Sequence, residues 1–125
     1  MVRNASVVSV FNETKQMRVA ARVEVADTGL RRLVGLLGRL SIQTEGGIWI
    51  VPCNSVHTFG MLFRFDLLLI DKNYRVVGKR ERLRPFWMTW PNFRAESVLE
   101  LAAGTIAWSG TEVGDQLRID RNIVL

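Results

Sequence analysis

The chain has 125 residues, the length of one ordinary domain, with 48% hydrophobic and 23% charged side chains, a balance that excludes wholesale disorder. Its 17 Lys and Arg against 12 Asp and Glu give a net charge of +5, which favours anionic partners such as nucleic acid or an acidic membrane face, although small domains also carry such charge for solubility. Apolar runs such as Leu67 to Ile70 are short and closed by charge, which excludes an integral membrane segment, and a single cysteine, Cys53, excludes an internal disulfide.

In chain order, the first elements form a hairpin. Residues 6–11 are rich in β formers, 12–15 supply a polar turn, and Val19, Ala21, Val23 and Val25 alternate with Arg18, Ala20, Arg22 and Glu24. That period of two is the signature of a half-buried strand. Asp27 and Thr28 then offer a helix N-cap. Leu30, Leu33, Val34 and Leu37 follow at the spacing of one helical stripe, and Gly38 suits the left-handed stop. Residues 48–51 read as a short buried strand stopped by Pro52, and 54–61 as a polar, irregular segment.

Leu67, Leu68, Leu69 and Ile70 between Asp66 and Asp71 are apolar on both faces, as expected of a central strand. Lys72-Asn73 predicts a tight turn, with Asn at positive φ, into a strand over 74–78. Residues 80–91 read as a long loop, and strands are expected at 97–101, 105–109 and 116–120, with Gly104, Gly110 and Gly114 between or beside them. Many short strands with one helix predict a single α+β domain over 1–125: a small, mostly-β, barrel-like curled sheet with one main packed α-helix.

The segment Pro52-Cys53-Asn54-Ser55-Val56-His57-Thr58-Phe59-Gly60-Met61, followed by Phe63, Asp66 and Asp71, resembles the prokaryotic family called domain of unknown function number 192. That family carries a His-Thr pair three residues before a Met, then a Phe and an Asp opening an apolar strand. The similarity takes in Ala26-Asp27 and Gly35-Leu36-Leu37-Gly38-Arg39 upstream. Downstream it includes Val98-Leu99-Glu100-Leu101, Ala103-Gly104-Thr105 and Gly114-Asp115, about four fifths of the chain. Departures lie at Leu62, Phe63 and Arg64, at Ala102 where the family has Pro, and in the longer aromatic run Pro85-Phe86-Trp87-Met88-Thr89-Trp90-Pro91. The resemblance implies a small β-rich barrel-like fold with a packed helix and carries no settled reaction. Some relatives are secreted, and some are similar to proteins encoded near pilus-assembly systems, so an accessory or binding role is as open as catalysis.

His57 is the single histidine, the one side chain whose unperturbed pKa falls near neutrality. It suits a general base or ligand contact with Thr58 as hydroxyl partner, or, more blandly, a bond to backbone that pins its loop. Cys53, four residues before it, reads as a small buried hydrophobe ahead of a thiolate nucleophile. Alternation puts Val98 and Glu100 on one strand face, so if both faces are covered Glu100 is a buried carboxylate needing a partner, which His57 or an arginine would supply. Asp71 and Asp115 read as turn residues. One His, one Cys and scattered acids do not make a metal site, and no phosphate-cradling or dinucleotide motif is present, so neither metal nor cofactor is expected.

Lys79, Arg80, Arg82 and Arg84 run into Phe86, Trp87, Met88 and Trp90, with Phe93 and Arg94 behind. The first expectation is a loop whose aromatics fold back over an open end of the barrel. A protein or membrane contact comes next, and single-stranded nucleic acid last.

The functional expectation is a small non-catalytic binding or accessory domain. A pocket near His57, Thr58, Met61, Asp66 and Glu100 would hold a small ligand or peptide segment. A hydrolase-like enzyme is the alternative, with His57 as base oriented by Glu100 or Asp66. A third reading is a membrane-surface or nucleic-acid binder acting through the basic-aromatic loop over 80–94, with Arg80, Arg82, Arg84, Trp87 and Trp90 as the surface contacts. Residues 1–6 lack the pattern of a secretory signal, which predicts a cytoplasmic protein.

Overall fold

The computed structural model describes residues 6–27, 42–55, 63–84 and 89–121. The helix expected after Asp27 lies outside them. Seven strands, β1 (Val7–Asn12), β2 (Met17–Ala26), β3 (Gly46–Ile50), β4 (Phe65–Ile70), β5 (Val76–Leu83), β6 (Ser97–Ala102) and β7 (Leu117–Arg121), form one sheet in the order β5-β4-β6-β3-β2-β1-β7. Pairing is antiparallel except between β2 and β3, where Arg22 to Ala26 run parallel to Gly46 to Ile50. A single short helix, α1 (Thr105–Ser109), appears among the described residues. The described part of the chain is therefore mostly β, with helix a minor part of it.

The sheet curls until its two outer strands meet. Arg75 and Gln116 form a bridge, and backbone bonds run from Val76 N to Asp115 O, from Gly114 N to Val76 O and from Leu117 N to Tyr74 O. A half-barrel results, closed at one end. Its inner face carries Val8, Val10, Val19, Val23, Trp49, Leu68, Leu99, Leu101 and Leu117, with Ile106 of α1 packed among them. A second cluster on the outer face joins Ile48, Ile50, Phe65, Leu67, Leu69, Val77 and Val98. The four-residue apolar run of β4 thus serves two cores at once, and every residue of β4 is buried, as the sequence predicts for a central strand.

The amino-terminal hairpin forms as expected, with Val7 opposite Glu24 and Asn12 opposite Met17, and register shifts between Val8 and Val10 and between Val10 and Phe11. Three expectations need correction. Residues 105–109 are helix, not strand. Gly104 (φ 94°) and Gly110 (φ 69°) take left-handed conformations at its two ends, and five residues are too few for a helical period to show. Residues 80–83 are strand, not loop: β5 lies at the edge of the sheet with Lys79 to Arg82 exposed, so it needs no apolar alternation. At the 71–75 turn the positive φ falls on Tyr74 (63°), not Asn73. Asp71 Oδ1 accepts from the amides of Asn73 and Arg75, and the Tyr74 ring meets Trp49 edge-on with centroids 5.8 Å apart.

Candidate functional site

Of the residues expected to form a polar pocket, His57, Thr58 and Met61 lie outside the described residues, while Asp66 and Glu100 are both buried. The sheet register separates the two acids. Asp66 stands opposite Leu101, an inner-face residue, and Glu100 stands opposite Leu67, an outer-face residue. Side chains alternate across a strand, so Asp66 and Glu100 point to opposite faces.

Asp66 is fully engaged with backbone. Oδ1 accepts from the amide of Arg82 at 2.9 Å, and Oδ2 accepts from the amides of Gly104 at 3.1 Å and Ile106 at 2.9 Å. Arg82 has a φ of 52° and sits where β5 slips register against β4, between Leu67↔Arg80 and Phe65↔Leu83. A bulge leaves an amide without a ladder partner, and Asp66 takes that donor. Its other oxygen caps the first turn of α1, where Gly104 has no side chain to do so.

Glu100 is 5% exposed in the middle of the outer face, between Ile48 on β3 and Leu67 on β4. The chain reaches residue 55 and returns at 63 on this same face, because Cys53 and Phe63 both pack against the outer cluster. The Cys53 thiol donates to the Ser55 carbonyl at 2.9 Å.

Beyond Glu100 the outer face leads to the edge strand β5 and to the turn over residues 90–94. Trp90 is 85% and Phe93 89% exposed, so neither folds back over the barrel as first expected; Phe86, Trp87 and Met88 lie outside the described residues. Asn92 holds the turn. Its amide donates to Asn54 O, its Nδ2 to Val77 O at 3.2 Å, its Oδ1 accepts from the Arg94 amide, and its carbonyl accepts from the Ala95 amide. Gly78 makes room for this contact, since a Cβ there would lie 2.7 Å from Leu69 Cδ1 and 3.3 Å from Asn92 Nδ2. The two rings are therefore presented by an anchored turn.

Between that turn and β5 lies a cleft of about 430 Å³, lined by Lys79, Arg80, Trp90 and Phe93 among others. Arg80 also borders a second cleft of about 250 Å³, lined by Arg64, Arg82 and Arg84 against the one acid Glu81, and so basic on balance. Among the described residues, no carboxylate pairs with Arg64, Arg80, Arg82 or Arg94. Elsewhere several cations are matched: Lys15 with Glu112 and Asp115, Arg18 with Glu45, Arg118 with Glu13 and Asp120.

One buried polar cluster has no counterpart in the sequence reading. Asn12 Nδ2 donates to Asp115 Oδ2 at 2.9 Å and to Thr111 Oγ1 at 3.1 Å, Lys15 Nζ donates to both Asp115 oxygens, and the Glu112 amide donates to Asp115. Burial alone pushes the Asp115 carboxyl up. The bonds from Asn12, Lys15 and the Glu112 amide, with the Lys15 charge, outweigh it and hold the group below the ordinary carboxylate value. Bonds to Glu112 and Asp115 hold the Lys15 ammonium above its ordinary value. The cluster ties the first hairpin to the segment that closes the barrel; Asp115 is more than a turn former.

Among the described residues, no three His, Cys, Asp or Glu converge as a metal site would require, and no helix is long and apolar enough to cross a membrane. The fold defines a small, mostly-β half-barrel domain. By its match over residues 10–119 to the model described as DUF192, Uncharacterized ACR, the chain belongs to that uncharacterised family.

Its relatives include a UPF0127 protein of Thermococcus gammatolerans, 32% identical over 89% of this chain and 74% of that one, and a UPF0127 protein of Thermococcus sibiricus, 30% identical over 86% and 71%. Two crystal structures share the fold. A Sinorhizobium meliloti protein described as a candidate transcription regulator gives a TM-score of 0.80 at 21% identity, covering 94% of this chain and 95% of that one. A Novosphingobium aromaticivorans protein of unknown function gives 0.76 at 24%, covering 90% and 83%.

Proposed function

We propose that the chain is a non-catalytic binding domain that engages an anionic partner through the face made by β5 and the 90–94 turn. The observation that carries this reading is the outward presentation of Trp90 and Phe93 on the face that also carries Arg64, Arg80, Arg82 and Arg94, none of which forms an ion pair with a carboxylate among the described residues. An aromatic side chain buries about 150–250 Å² when covered, so at about 25 cal/mol per Å² each ring leaves about 4–6 kcal/mol of hydrophobic free energy unrealised in the isolated domain. The anchoring of the turn by Asn92 supports the same reading, because a preformed surface loses less entropy on binding.

The test is retention on heparin. The wild type is expected to bind and to elute in salt, and Arg80→Glu with Arg82→Glu to lower the eluting salt concentration severalfold. Lys72→Glu with Arg121→Glu, an equal change of charge away from this face, should have much the smaller effect. Equal losses from both pairs would leave only a general effect of net charge and sink the proposal.

A second reading rests on Glu100. A buried acid on a central strand, on the face to which residues 53 and 63 pack, supports a polar pocket in which His57, Thr58 and Met61 close over Glu100 around a small ligand or peptide segment. Asp66 has no part in it, being committed to three backbone amides on the other face. The hydrolase-like version would pair His57 with Glu100 alone. A His57 imidazole pKa that does not move in Glu100→Gln, followed by NMR, would remove this reading.

A further inference from the structure

We infer that the anionic partner is single-stranded nucleic acid, with bases stacked on Trp90 and Phe93 and phosphates carried along the arginines of β5; this inference rests on the proposed role of that face. The arrangement is a track. Arg80 is common to the aromatic cleft and to the basic cleft lined by Arg64, Arg82 and Arg84. A ligand that offers flat apolar faces and regularly repeated anions in one flexible chain matches that order, and a bare polyanion matches only half of it. Stacking on aromatic rings with cations along the backbone is how sequence-tolerant single-strand binding works. Four of the five cations lining the two clefts are arginines, whose planar forks bond phosphate in pairs and also stack on bases.

Other partners fit less well. Insertion into a bilayer needs a broad apolar face, and the residues between and beyond the two rings are Pro91, Asn92 and Arg94, with Arg80 and Lys79 across the cleft. An added peptide strand needs a regular edge. β5 is blunted for that purpose by its charges and by the bulge at Arg82. Duplex nucleic acid buries its base faces in the stack, which would leave Trp90 and Phe93 without a role.

The test uses the whole chain and fluorescence anisotropy with four probes: a labelled dT 12-mer, an abasic 12-mer of equal charge, a 12-base-pair duplex, and vesicles of phosphatidylcholine with phosphatidylserine. The dT 12-mer is expected to bind at least tenfold more tightly than the abasic strand or the duplex. Its log K should fall with log salt at a slope of about −2, from about three phosphates at roughly 0.7 each. Trp90→Ala and Phe93→Ala should each weaken dT binding by about tenfold or more while leaving abasic binding unchanged, and Trp90→Phe should restore most of it.

Equal affinity for the dT and abasic strands overturns the stacking inference and leaves the anion-binding role standing. Vesicle binding that depends on Trp90, without dT binding, overturns it in favour of a lipid surface. Failure of all four probes, with heparin retention also absent, overturns both readings. Circular dichroism and thermal unfolding of each variant separate lost binding from lost fold.

Discussion

Replacing Asp66 by Ala removes the acceptor that three amides share, those of Arg82, Gly104 and Ile106, at 2.9–3.1 Å. Asp66 itself is 0% exposed, so the orphaned donors cannot all be reached by water without local opening. Leaving a buried donor unsatisfied costs about 1–3 kcal/mol. Three fully buried donors would set a range of about 3–9 kcal/mol; the bonds from Arg82 and Gly104 are only part-buried, which places the expectation near the lower end, about 3–5 kcal/mol. Against a typical domain stability of about 5–15 kcal/mol this is a large share.

Asp66→Asn keeps one acceptor but sets an amide donor against the remaining N–H groups, so it should lose nearly as much. The assay is urea unfolding followed by far-ultraviolet circular dichroism, where the midpoint should fall while the slope stays constant. Native-state hydrogen exchange supplies the local readout, since the Arg82 and Ile106 amides should lose protection more than amides of the first hairpin. A loss below about 1 kcal/mol, or unchanged protection at those two amides, would show that the carboxylate does not hold the bulge and the helix together.

The Asp115 cluster predicts a pH dependence of definite sign. Because Asp115 is held below its ordinary value of 3.8, the unfolded chain takes up the proton first. The cluster's contribution is fully present above about pH 4 and is lost as pH falls through the lowered folded value; thermal melts of wild type and Asp115→Asn should converge in acid. Lys15, raised above 10.5, contributes below that pH and ceases to as pH climbs through its folded value, which a melt series to pH 12 on Lys15→Met would check. Gly47→Ala would place a Cβ 2.5 Å from the Glu100 carbonyl, a rigid neighbour on the paired strand, and should cost about 3 kcal/mol in urea unfolding. If Gly47→Ala unfolds at the wild-type midpoint, the close approach of β3 to β6 is not as described.

Much of the sheet was legible in the sequence. Local periodicity sufficed for the double-faced run Leu67 to Ile70 and for Val19, Val23 and Val25, but the alternation breaks at Ala20, which is buried in the core while Ala21 is only half-buried. It failed where partners are remote or elements short. Asp66 finds Gly104 and Ile106 some 40 residues away, and Asn12 finds Asp115 at a separation of 103; no local pattern announces such a bond. The five residues of α1 include Thr105, Ile106 and Trp108, ordinary strand formers, and only the left-handed glycines at its ends betray it. At the candidate site, cations beside aromatics were visible as composition. Which way the rings face depends on Asn92 docking over Gly78, a tertiary contact that spacing along the chain does not encode.

The most direct trial of the binding face is the double variant Trp90→Ala with Phe93→Ala, measured for stability and for dT binding in the same buffer. Rings already exposed to solvent contribute little to folding, so urea unfolding should stay within about 1 kcal/mol of wild type, while affinity for the dT 12-mer drops by well over tenfold. A double variant that unfolds several kcal/mol earlier, or that binds the oligonucleotide as the wild type does, would contradict the assignment of these rings to a partner.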